Sequence, residues 1–191
     1  MGFTQLNWAC WGVFILVWVA GARLTSANAA PTTTRRARYD WLVLAVLAWF
    51  LTRTVPQRYL DLAVFHVPAL QLVGAVLLIT ATLFTLWARW TLGTMWATNA
   101  AVKEEHALIT RGPYALTRHP IYTGVLGMIV GSGLSLGQGL ILLGLLVVCL
   151  FFLLRIHNEE HLLQTTFGDQ YVRYQRRVPS LVPGFKPRHK E

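Results

Sequence analysis

The stretch RGPYALTRHPIYTG, residues 111–124, lies between two runs of membrane-grade hydrophobicity and resembles neither. Pro120 falls where a helix over Ile121–Leu136 should begin, and proline suits the first helical position because its missing N–H would be unpaired anyway. The amides of Ile121, Tyr122 and Thr123 then lack acceptors. Such a helix start carries partial positive charge and attracts a carboxylate or phosphate. His119 stands at the cap with Arg118 beside it and Tyr114 five residues back, while Gly112-Pro113 breaks the chain before them. Ionisable groups at membrane depth are costly and mark a site by default. The plainer alternative is that Arg118 and His119 only anchor the helix among headgroups.

Working outward, the whole chain is 191 residues and 54% hydrophobic, too apolar for an ordinary soluble domain. A bilayer core takes about 20 apolar residues per helix, with shorter spans tolerated. Five stretches qualify: Leu6–Ala22, Trp41–Val55 (interrupted by Arg53), Val67–Leu86, Ile121–Leu136 and Leu140–Ile156. The expected fold is therefore all-α, a polytopic membrane protein with about five transmembrane helices. The last two are separated only by the turn-like Ser135-Leu136-Gly137-Gln138-Gly139 region and should form a tight helical hairpin. Residues 1–91 would hold the first three helices and their loops, and residues 92–191 the chemistry. Ala27-Asn28-Ala29 resembles a signal cleavage site, but no Lys or Arg precedes the first span, as a secretory signal requires.

Charge supplies an orientation. Segments 23–40, 87–119 and 155–191 hold 15 of the 17 Lys and Arg residues, leaving Arg53 and Arg58 opposite. The positive-inside rule then puts the N-terminus outside and the C-terminal tail in the cytoplasm, where anionic headgroups attract it. That signal accounts for most of the net charge of +9, so no nucleic-acid partner is expected. The chain would be an integral multi-pass protein of the cytoplasmic membrane in a prokaryote or the endoplasmic reticulum in a eukaryote. Cys10 and Cys149 fall inside the expected spans and indicate no disulfide. Gly127 and Gly131 have the small-xxx-small spacing of close helix packing.

A second polar cluster follows the last span, LRIHNEEH over residues 154–161. Arg155 and Glu159 are four apart and share a helix face, where they can hold one another or a zwitterionic ligand. His157-x-x-Glu160-His161 also matches the H-x-x-E-H form of zinc peptidases. No convincing third ligand accompanies it, and no metal site is expected.

Taken together, the clusters resemble the isoprenylcysteine carboxyl methyltransferase family and its phospholipid methyltransferase relatives. The resemblance covers residues 92–184 and rests on Leu92-Gly93 with Trp96, HALITRGPY at 106–114, RHPIYTG at 118–124, Glu159-Glu160 with Leu163, Phe167-Gly168, Tyr171, Tyr174 and Val178-Pro179. It implies methyl transfer from S-adenosylmethionine, leaving S-adenosylhomocysteine, in a membrane pocket facing the cytoplasm. His106, Ala107, Leu108, Ile109 and Tyr114 would line the cofactor. His119, Pro120, Ile121 and Tyr122, with Arg118, would take its methionine end, in keeping with the anion site read from Pro120. Glu159 would also touch the cofactor, and Arg155 would face the acceptor, with Arg155, Glu159 and Glu160 as catalytic candidates. Asn99 stands where eukaryotic members place a cofactor-contacting glutamine. The acceptor would be lipid-like: a carboxylate would pair with Arg155, whereas an amine would need Glu160 or a tyrosine as base, and a small apolar thiol also fits. Competing readings are a nicotinamide-dependent membrane reductase of related layout, using NADPH, and a non-catalytic helical scaffold.

Overall fold

The computed structural model describes residues 2–26, 64–93 and 108–184. The expected second span, Trp41–Val55, lies outside them, as do Asn99, His106 and Ala107. The described residues form helices α1 (Phe3–Ser26), α2 (Pro68–Leu92), α3 (Pro120–Leu136), α4 (Gly139–Phe167) and α5 (Asp169–Arg177), with a 3-10 turn over Gly112–Ala115 before α3. Among them α1, α2 and α4 are long and apolar enough to cross a membrane, and α3 is a shorter apolar helix. An isolated antiparallel bridge between Val64 and Gln138 is the extended pairing among these residues.

The boundaries have local causes. Pro68 and Pro120 each occupy the first turn of their helices, where no N–H is needed. The α3–α4 turn is closed by Gly137 at φ 66°, ψ 31°, the left-handed conformation that favours glycine. Its N–H donates to Leu134 O at 3.2 Å and the N–H of Gln138 donates to Gly133 O at 2.8 Å, a complete Schellman closure. Phe65 N–H then donates to Gly137 O at 2.8 Å, tying the approach to α2 onto the same turn.

The hairpin is tight at its turn, but the closest backbone approach is elsewhere, between α2 and α3. A Cβ added to Gly131 would sit 2.6 Å from Leu78 N and 2.9 Å from Gly74 O, and one on Gly127 would sit 2.9 Å from Ala81 Cβ. One on Gly124 would collide with the Thr85 hydroxyl. Lipid tails give apolar helices no reason to associate, so close van der Waals packing of small residues has to do it. The buried hydroxyls in this seam are satisfied locally: Thr82 donates to Leu78 O and Thr85 to Ala81 O, both at 2.7 Å. Helix α1 docks on α3 through two polar bonds, Asn7 Nδ2 to Ser135 Oγ at 2.9 Å and Trp11 Nε1 to Ser132 Oγ at 3.0 Å.

The last expected span, Leu140–Ile156, is part of a longer helix. α4 has 29 residues. At 1.5 Å each it is about 44 Å long, more than the hydrocarbon core of about 30 Å, so its polar last turns extend beyond the lipid. The polar region from Arg155 onward is therefore helical as far as Phe167, turns at Gly168 (φ 50°), and continues as α5. Tyr171 and Tyr174 on the inner side of α5, and Val178 just after it, pack with Leu108, Leu163 and Phe167.

Candidate active site

An antiparallel hairpin turning at Gly137 brings the start of α3 alongside the last turns of α4. The two polar clusters, more than thirty residues apart in sequence, thereby become one network. Tyr122 stacks between His119 (ring centroids 5.8 Å apart) and Phe152 (4.5 Å). Its phenol donates to Glu159 Oε1 at 2.6 Å and accepts from Arg155 Nε at 3.0 Å. Arg155 Nε also reaches Glu159 Oε1 at 3.3 Å, so the expected shared helix face is realised. Among the described residues, the other oxygen of Glu159 faces His119 Nδ1 at 3.7 Å, beyond hydrogen-bond distance.

Glu160 sits in a different setting. Its Oε1 accepts from Arg118 Nε at 2.8 Å and Nη2 at 2.7 Å and lies 3.1 Å from His119 Nε2, while Oε2 accepts from Gln175 Nε2 at 3.1 Å. Gln175 is oriented in turn by Gln164 at 2.8 Å. The third nitrogen of the Arg118 guanidinium, Nη1, donates to Val178 O at 2.6 Å and Gln175 O at 3.2 Å. Three ionisable groups are thus held with little freedom, as a partly desolvated charged cluster requires. Glu160 turns inward to Arg118 and His119, whereas His157 and His161 are exposed; the H-x-x-E-H trio does not converge.

Pro120 is fully buried, and His119 is the cap residue at 7% exposure. The Thr123 amide, expected to lack a partner, donates to His119 O at 3.1 Å as part of the first helical turn. Ile121 and Tyr122 are left as the amides without an intrahelical acceptor. Tyr114 is buried beneath α5, and the Tyr174 hydroxyl donates to its carbonyl at 2.6 Å. Burial, foremost, raises the phenol pKa values of Tyr114, Tyr171 and Tyr174 well above their ordinary value. Leu108 packs on the α5 cluster, and Ile109 beside it is half-buried. The structure thus gathers Arg118, His119, Pro120, Ile121, Tyr122, Arg155, Glu159 and Glu160 at one end of the hairpin, with Tyr114 and Leu108 packed against α5. Sequence reasoning passed over Gln175, Thr117 and the carbonyls of residues 178–181; Val178-Pro179 was the signal that pointed there.

Comparisons with known proteins find similarity over much of these residues. The model of the isoprenylcysteine carboxyl methyltransferase (ICMT) family matches residues 73–165, beginning inside α2, upstream of residue 92 where the motifs start. Protein-S-isoprenylcysteine O-methyltransferase B of Arabidopsis thaliana is 45% identical over 82 residues, 42% of this chain and 42% of its own. The Xenopus laevis protein-S-isoprenylcysteine O-methyltransferase is 29% identical over 152 residues, 77% of this chain and 51% of its own. The matches therefore span about half, or less, of these curated relatives. A solved structure of the eukaryotic intramembrane Ras methyltransferase ICMT superposes with a TM-score of 0.61 at 26% identity, covering 94% of this chain and 68% of that one. The resemblance carried by the two motifs thus recurs in the family model over residues 73–165, in the curated methyltransferases and in the solved structure.

Proposed function

We propose that the chain is an integral membrane methyltransferase that uses S-adenosylmethionine to methylate the carboxylate of a lipid-like, isoprenylcysteine-type acceptor. The observation that carries this reading is the convergence of His119, Tyr122, Arg155 and Glu159, all within the family-matched residues, at the foot of the α3–α4 hairpin. The groups present suit a ligand bearing both an ammonium and a carboxylate. Glu159 offers an acceptor oxygen for the cation, and the Ile121 and Tyr122 amides at the helix start favour the anion. Leu108, Ile109 and Tyr114 would supply the apolar wall. Asn99, His106 and Ala107 belong to the same proposed pocket.

S-adenosylmethionine supplies a methyl group made electrophilic by its sulfonium. The chain's part is positioning and the exclusion of water. Arg155, steadied by Tyr122 and Glu159, would hold the acceptor carboxylate. Phe152 and Ile156, both almost fully buried beside it, keep the surroundings dry. The same geometry disfavours an amine acceptor. Glu160, the base such a reaction would want, is engaged by Arg118, His119 and Gln175, and an ion-paired carboxylate is a poor base. The buried phenols are no substitute, because burial raises their pKa values and so disfavours the deprotonated form a base needs. The distribution of basic segments favours a site on the cytoplasmic side.

The test is thermal unfolding of detergent-purified protein with S-adenosylhomocysteine, with NADPH, or with buffer alone. A ligand at a hundredfold excess over Kd stabilises by about 2.7 kcal/mol. S-adenosylhomocysteine is expected to raise Tm in the wild type and not in His119→Ala. A shift with NADPH alone would move the chain to the reductases, and no shift with either would return it to a scaffold.

A further inference from the structure

Four consecutive carbonyls of the segment following α5 accept hydrogen bonds from the residues around Pro120. Val178 O takes Arg118 Nη1 at 2.6 Å, and Pro179 O takes the Arg118 amide at 2.9 Å. Ser180 O takes the His119 amide at 3.1 Å and also the Thr117 hydroxyl, and Leu181 O takes the Thr123 hydroxyl at 2.6 Å. The segment is extended at Val178 (φ −118°, ψ 129°) and stiffened by Pro179. Both its ends are pinned: Val178 packs with Tyr171 and Tyr174, and Leu181 packs on Val125, Phe152 and Ile156.

The pairing answers a need that Pro120 creates. A proline at the first helical position makes the chain enter α3 abruptly, so the Arg118 and His119 amides precede the helix and have no carbonyl inside it. Both residues are buried or nearly so, and a buried amide without a partner is expensive. The 178–181 carbonyls supply those partners and so decide where the His119 imidazole and Arg118 guanidinium stand. Thr117, fully buried, faces the same strap.

We propose that residues 178–181 form a positioning strap on which methyl-donor binding depends, acting through main-chain carbonyls upon Thr117, Arg118, His119 and Thr123. The inference rests on the donor reading above. Because the strap works through its backbone, it is probed from the donor side. In the full-length protein, Thr117→Val with Thr123→Val removes both hydroxyl donors at nearly constant shape, and Thr117→Ser with Thr123→Ser keeps them. Loss of two hydrogen bonds of ordinary net strength should weaken S-adenosylhomocysteine binding in calorimetry about tenfold in the valine protein. KM for the donor should rise while KM for the acceptor stays, and the serine protein should recover wild-type values. Thr123→Val alone, at a half-buried position, provides the same test in a milder form should the double variant fold poorly, with a change of about threefold. Wild-type binding with unchanged affinity in the valine proteins, or a serine protein as impaired as they are, would overturn the strap. A wild type that binds no S-adenosylhomocysteine would overturn the donor reading, and the strap's role with it.

Discussion

Helix α3 takes part in two unlike kinds of structure, and the contrast explains much of the chain. Along its length it meets α2 through Gly124, Gly127 and Gly131, a seam where backbone touches backbone. At its start it meets α4 and the strap through Arg118, His119 and Tyr122, where nearly every contact joins a polar atom to a named partner. The seam is specified by the absence of side chains, so its tolerance is set by volume. The polar end is specified by donors and acceptors, so its tolerance is set by chemistry. The lipid enforces the difference: inside the hydrocarbon only packing discriminates between apolar helices, while near its edge charges can be held if each is paired.

The largest effect should come from adding volume to the seam. In Gly131→Val the new Cβ alone would lie 2.6 Å from Leu78 N and 2.8 Å from Leu78 Cα, main-chain atoms that cannot rotate away. The two helices must separate, at a cost of at least about 3 kcal/mol. For a chain of this size that is a fall in Tm of about 10 °C, read by thermal unfolding in detergent. Gly144→Val on α4 is the counterpart, since a Cβ there meets nothing within 4 Å. Equal losses at the two positions would break the distinction, because the cost would then follow glycine itself and not the seam.

At the polar end the corresponding change removes a partner. Arg118→Ala leaves Glu160 without its ion pair while its oxygens remain largely enclosed; the two side chains are 10% and 18% exposed. Breaking such a pair costs several kcal/mol when fully buried, and about 2 kcal/mol after allowance for the remaining solvent access. It also frees the Val178 and Gln175 carbonyls that Arg118 holds, so S-adenosylhomocysteine binding should be lost with the stability. Glu160→Gln keeps the shape and one acceptor, and should cost about 1 kcal/mol. A larger loss for Glu160→Gln than for Arg118→Ala would show that the carboxylate serves more than this pair.

How much of this was legible in the sequence follows the same division. The apolar runs of α1, α2 and α3 and the turn at Gly137 could be read because span length and glycine conformation are local properties. The extent of α4 could not, since hydropathy stops at Ile156 while helical hydrogen bonding continues through the charged turns to Phe167. Arg155 and Glu159 were legible as a pair because helical spacing alone brings them together. Glu160 with Arg118, by contrast, is 42 residues apart in sequence and depends on the hairpin's register. The Gly127/Gly131 spacing announced close packing but not the partner, which is α2 and not the neighbouring α4. The strap was hardest to read, because carbonyls belong to every residue type and Thr117 and Thr123 look like ordinary helix-flanking polar residues.

The smallest effect should come from α1, which docks on α3 by polar bonds in a setting otherwise governed by packing. Asn7 is 6% exposed and donates to Phe3 O and Ser135 Oγ, both at 2.9 Å, at the end of α3 remote from Pro120. Interhelical hydrogen bonds between membrane helices average about 0.6 kcal/mol, because separated helices find other partners. Asn7→Ala should therefore lower Tm by about 2 °C, the more so because Ser135 still donates to Ser132 O at 3.2 Å. The Trp11 bond to Ser132 holds α1 in register meanwhile. S-adenosylhomocysteine affinity should not change, since Phe3 and Ser135, to which Asn7 donates, lie away from the network around His119. If the affinity fell along with Tm, the two ends of α3 would be coupled through the helix, and the seam would have to be counted as part of the site.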